Sequence, residues 1–123
     1  MKESILRQKS EKFTTRIINM YKYLCKEKKE FVISKQVLRS GTSIGANVSE
    51  AGSAFTKKDF ISKLGISLKE NAETLHWLKS LKSTGFLSEK EFESIYNDCL
   101  EISRLLNASI KTAKKNMADN KEL

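Results

Sequence analysis

Apolar residues recur at three- and four-residue intervals in four successive stretches of this chain, and the connections between those stretches are short. Leu6, Phe13, Ile17, Met20/Tyr21 and Leu24 mark the first stretch, and Val37, Ile44, Val48 and Phe55 the second. Phe60, Ile61, Leu64, Leu68, Leu75 and Leu78 mark the third. Phe92, Ile95/Tyr96, Cys99, Ile102, Leu106, Ile110 and Ala113 mark the fourth. This spacing belongs to helices that bury one face. There is no proline to interrupt them. The expected helices cover about residues 4–29, 35–54, 57–83 and 89–116, followed by a frayed polar tail at 117–123. Short loops force antiparallel neighbours. The expected fold is therefore all-α: one antiparallel, up-down-up-down four-helix bundle. A chain of 123 residues can bury such a core without a disulfide or structural metal.

Local signals mark the helix ends. Ser34 is an expected N-cap for helix two. Thr56-Lys-Lys-Asp59 and Ser88-Glu-Lys-Glu91 have the form of capping boxes. Gly85 stands where a left-handed C-terminal cap belongs. Phe31 and Ile33, between helices one and two, are expected to plug one end of the bundle.

Helix two carries glycine where most helices carry alanine. Gly41 and Gly45 are one turn apart, and Ser49 and Gly52 extend the same ridge. Each interior glycine costs roughly 1 kcal/mol of helix stability relative to alanine, which is tolerated where two backbones must approach closely. Arg39, Ser43, Asn47 and Glu50 form a polar stripe on the same helix. In helix three, Ile66, Glu70, Glu73 and Trp77 form another beside the core stripe. Carboxylates placed between isoleucine and tryptophan suggest that Arg39, Asn47, Glu50, Glu70 and Glu73 belong to a polar network or a subunit interface. A partly buried charge has to be paired.

The segment Arg39-Ser-Gly-Thr-Ser-Ile-Gly-Ala-Asn47, then Glu50-Ala51, Lys58-Asp-Phe-Ile-Ser-Lys-Leu64 and Ser67-Leu-Lys-Glu70 resembles one bacterial family. It is the four-helix-bundle family of 23S rRNA intervening sequences, also called S23 ribosomal proteins, and the resemblance spans almost the whole chain. It implies an up-down-up-down bundle and a ring-forming homopentamer. The accessory variability determinant of diversity-generating retroelements is similar: a basic pentameric bundle that binds nucleic acid and a reverse transcriptase. No catalytic activity is established for the family, so the resemblance implies a protein that is not an enzyme.

The net charge of +8 lies mainly on the first and third helical segments, with +5 over residues 1–30 and +3 over residues 55–87. Such an imbalance favours polyanions through counterion release. Lys9, Lys12, Arg16, Lys22 and Lys26 are expected on the side of helix one away from Phe13, Ile17 and Leu24. They are the nucleic-acid-binding candidates, for RNA or DNA, because lysine-rich faces contact phosphates without reading bases. The alternative partner is a protein, with the chain serving as a scaffold or adaptor.

Other chemistries lack a constellation. A single His76 and the distant Cys25 and Cys99 do not make a zinc site. Glu73-Thr-Leu-His76 has the Glu-x-x-His form of di-iron bundles, but no second copy occurs. The expectation is no metal, no cofactor and no catalytic residue. The N-terminal sequence Met-Lys-Glu-Ser-Ile-Leu-Arg-Gln-Lys has no apolar signal core, and no run is long enough to span a membrane. A cytoplasmic protein is expected.

Overall fold

The computed structural model describes residues 2–122, with side chains described from 5 to 119. Four helices follow in order: α1 (Lys2–Lys26), α2 (Ile33–Gly52), α3 (Lys57–Ser83) and α4 (Glu89–Glu122). They pack as α1 on α2, α2 on α3 and α3 on α4, with a much thinner seam between α4 and α1. Sequence neighbours are spatial neighbours, as short loops require. Leu6, Phe13, Ile17, Leu24, Val37, Ile44, Leu64, Leu78, Leu81, Ile95, Ile102 and Leu106 are fully or almost fully buried in one core.

Close approach of α1 and α2 depends on glycine at two positions. A Cβ on Gly41 would stand 2.9 Å from Ile17, and one on Gly45 would stand 2.6 Å from the Thr14 hydroxyl and 3.3 Å from the Ser10 carbonyl. The ridge ends there, because Gly52 has open space and Ser49 is exposed.

The turns are built much as the sequence suggests, with one exchange of roles. Thr56 accepts from the Asp59 N–H at 3.0 Å and opens α3. Ser88 and Glu91 exchange side-chain-to-backbone bonds of 3.1 and 2.8 Å at the start of α4. Gly85, at φ +85°, follows α3, while the Phe86 N–H returns to the Leu81 carbonyl at 2.9 Å. The α1–α2 turn uses Lys29 at φ +55°.

Ser34 does not cap α2, because it lies inside the first turn and its hydroxyl donates back to the Glu30 carbonyl. The cap is the Glu30 carboxylate, which accepts from the N–H groups of Val32 (3.2 Å), Ile33 (2.9 Å) and Ser34 (2.6 Å). Burial of that carboxylate opposes its charge. The three backbone donors more than offset this and hold its pKa below the ordinary carboxylate value.

Three further expectations are corrected. Phe31 is half-exposed rather than a plug, since Glu30 occupies the buried position of the turn. Phe55 lies in the α2–α3 turn, fully exposed, because α2 ends at Gly52. The tail expected to fray from 117 is helix through Glu122, an unbroken extension of α4, while residue 123 lies outside the described residues.

Candidate nucleic-acid interface

The five basic residues singled out on α1 do not share one face. At 3.6 residues per turn, Lys9 and Arg16 flank the Phe13–Ile17 line, whereas Lys12, Lys22 and Lys26 point outward. Arg16 is half-buried and crosses to α4, donating to Asp98 Oδ2 at 2.6 Å, Ser94 Oγ at 3.0 Å and the Ser94 carbonyl at 3.3 Å. Lys9 pairs with Glu101, also on α4, at 3.3 Å. These two residues tether the thin α1–α4 seam. Lys12, Lys22 and Lys26 are exposed and pair with no carboxylate among the described residues.

The free lysines continue around one end of the molecule. The α1–α2 and α3–α4 turns lie at this two-turn end, where Lys28, Lys29 and Lys35 join Lys22 and Lys26, all exposed. The carboxylates beside them are largely committed elsewhere. Glu30 caps α2, Glu91 caps α4, and Glu89 pairs with Lys82 at 2.9 Å.

Charge is therefore layered along the bundle axis. Residues 22–35 and 79–93, at the two-turn end, hold eight basic and five acidic residues, or +3. Residues 5–12, 50–63 and 104–119, at the opposite, one-turn end, hold ten basic and four acidic residues, or +6. The waist between them carries three basic and four acidic residues, or −1.

The expected polar network forms in part, on the outer side of the α2–α3 seam. Arg39 bridges Glu70 at 3.4 Å and contacts Glu73, which also accepts from the Trp77 indole N–H at 3.0 Å. The indole bond and the guanidinium together hold the Glu73 carboxyl below its usual range. Asn47 stays outside this group and donates to Ser43 of its own helix, while Glu50 pairs separately with Lys63 at 3.0 Å. With half of the Arg39 side chain in solvent, this is a surface cluster.

Sequence reading missed a buried polar row on α3. Ser67, Asn71 and Thr74 lie between Leu64 and Leu78 on the innermost line of the helix. Ser67 donates to the Ile44 carbonyl at 2.9 Å, Thr74 shares a bond with Ser40 at 2.9 Å, and Asn71 Nδ2 donates to the Cys99 carbonyl at 2.9 Å. Asn71 Oδ1 is buried without a protein partner. The helical register from Leu64 to Leu78 could have placed all three inside.

His76 is exposed and meets Trp77 edge-on. Cys25 and Cys99 are free thiols, and burial pushes the Cys99 pKa to about 12, where it is an inert core group. Among the described residues, no cluster of three histidine, cysteine or carboxylate side chains is placed to hold a metal ion. Among the described residues, no helix is long and apolar enough to cross a membrane.

Residues 2–108 match the family model described as 23S rRNA-intervening sequence protein. A crystal structure of a protein of unknown function from the S23 ribosomal protein family, from Bacteroides thetaiotaomicron VPI-5482, superposes with a TM-score of 0.89. The two sequences are 52% identical over 90% of this chain and 99% of that one. None of the curated proteins matches. A match over most of the chain, on the four-helix frame that carries both basic ends, makes this protein a member of the 23S rRNA-intervening sequence protein family.

Proposed function

We propose that this protein is a non-catalytic, self-assembling bundle that holds RNA or DNA by the phosphate backbone. The observation that carries this reading is the lysine cluster of the two-turn end. Lys22, Lys26, Lys28, Lys29 and Lys35 are exposed, and none is within ion-pair distance of a carboxylate among the described residues. Free ammonium groups release phosphate counterions on binding; paired ones must first break a bridge. The expected face thus shifts from the flank of α1 toward its C-terminal end, with Lys12 an outlying contact and Lys9 and Arg16 tethering the seam. Family membership supports self-assembly, and a homopentamer is the proposed form. An outward α3 surface with half-exposed Ile66 beside open Gly65 offers room for another copy.

The test is fluorescence anisotropy with labelled RNA and DNA at several salt concentrations. Log affinity falls linearly with log salt for the native protein. Lys22→Gln, Lys26→Gln and Lys28→Gln together lower affinity about equally for unrelated sequences and flatten the slope. No binding at low salt overturns the reading. Native mass spectrometry tests the assembly separately, and a single monomer species at all concentrations rules it out.

A further inference from the structure

We propose that the one-turn end is a docking groove for an acidic amphipathic helix of a partner protein. This site is separate from the lysine cluster of the two-turn end and does not depend on it. An open groove of about 700 Å³ lies between the start of α1, the α2–α3 turn and the last third of α4. Its lining includes Ile5, Phe55, Phe60, Leu105, Ala108 and Ala113. Phe55 is fully exposed and Ile5 is 47% exposed. Single exposed apolar residues are ordinary, but here they converge on one recess, where covering them would be favourable.

The groove lies in the end of the bundle that carries +6, and Lys57 stands in its lining. Three of the ten basic residues there are paired, Arg7 with Glu11, Lys63 with Glu50 and Lys9 with Glu101, which leaves seven cations and two carboxylates outside ion pairs among the described residues. The recess selects apolar side chains and the rim selects carboxylates. One ligand meets both demands: a helix with an apolar face flanked by glutamate or aspartate. A polynucleotide would satisfy the rim, but it would leave the aliphatic lining of Ile5, Leu105, Ala108 and Ala113 unused, since only exposed aromatic rings stack on bases. The α4 wall also runs past residue 108, where the family match ends. The groove therefore depends on the last turns of α4.

The test titrates the full chain into a labelled synthetic helix of about 18 residues, with leucine and phenylalanine at i, i+3, i+4 and i+7 spacing and glutamate elsewhere. A scrambled peptide of the same composition and an oligothymidylate are measured in parallel. The amphipathic peptide is expected to bind roughly tenfold or more tightly than the scramble. Phe55→Ser and Ala108→Glu, both at exposed positions, are each expected to weaken it by about tenfold with melting unchanged. The triple lysine-to-glutamine variant of the two-turn end should bind the peptide as the native chain does. Equal binding of the scramble overturns the proposal, as does indifference to Phe55→Ser or no peptide binding at all. Oligothymidylate binding that is lost with Phe55→Ser also overturns it, since the groove would then take nucleic acid.

Discussion

The two ends of the bundle are both basic, but they differ in what lies beneath the charge. At the two-turn end the lysines surround turns whose backbone donors are already satisfied by Glu30 and by the Ser88–Glu91 pair. At the one-turn end the positive charge shares the end with a largely apolar recess that is lined by the exposed Phe55 and by Lys57. Charge alone attracts any polyanion without regard to shape. Charge around a recess adds a requirement for shape and apolar surface. One net charge of +8 can thus serve two recognition modes, which the fold places at opposite ends.

The largest expected effect breaks the frame that both ends share. Gly45→Leu drives a side chain into Thr14 and the Ser10 carbonyl and should cost about 1–3 kcal/mol or more. Chemical denaturation measures it, and binding at both ends should decline together. A native midpoint would mean that the α1–α2 seam has room for a side chain at this position.

Next comes acid. Carboxylates take part in both N-terminal caps at the two-turn end, Glu30 on α2 and Glu91 together with the Ser88 hydroxyl on α4, whereas the α3 cap at the other end is the Thr56 hydroxyl. The Glu30 pKa is depressed in the folded chain. Its stabilisation is therefore complete above the unfolded carboxylate's ordinary pKa and is lost as pH falls through the lower folded value. Hydrogen exchange across that window should show the start of α2 opening before the start of α3. Glu30→Gln should cost about 1 kcal/mol at neutral pH, the usual scale of a lost cap, and remove most of that pH dependence.

A smaller change of opposite sign contrasts glycines within one molecule. Gly65 lies inside α3 with open space where a Cβ would go. Gly65→Ala should stabilise the chain by roughly 0.5–1 kcal/mol in a thermal melt. A loss instead would mean that another copy fills that space.

The smallest effects belong to the waist. Arg39→Ala and Glu70→Ala, alone and combined, should shift the melting temperature little and additively, because solvent screens this cluster. Strong coupling between the two would make it a structural lock.

Much of this architecture was legible because helical periodicity records which side of each helix is wet. The four helices, the Gly85 cap, the Ser88–Glu91 box and the Gly41–Gly45 approach follow from residue spacing and from the backbone freedom of glycine. The Glu30 cap did not, because the sequence offers Ser34 at the conventional place and only the Lys29 turn brings the carboxylate back over the helix end. The row of Ser67, Asn71 and Thr74 was hidden by polarity, since hydroxyls and amides read as wet until a carbonyl on a facing helix is known to receive them. The lysine face was half legible. Lys9 and Arg16 reach carboxylates some eighty residues or more away in sequence, and single-chain periodicity carries no information about such partners. The groove was not legible at all, because it is made by three segments that meet only in the fold.

The neighbour-on-neighbour order of the helices has a kinetic consequence. Nearly all packing joins consecutive helices, so little chain entropy has to be surrendered before contacts begin to form, and helical proteins of this kind fold in microseconds to milliseconds. The α2–α3 hairpin, which has the most extensive seam, is expected to form first. The α1–α4 seam is then the last to close, so Arg16→Ala should accelerate unfolding while leaving the folding rate almost unchanged. With no X–proline bond to isomerise, refolding should show no phase lasting tens of seconds.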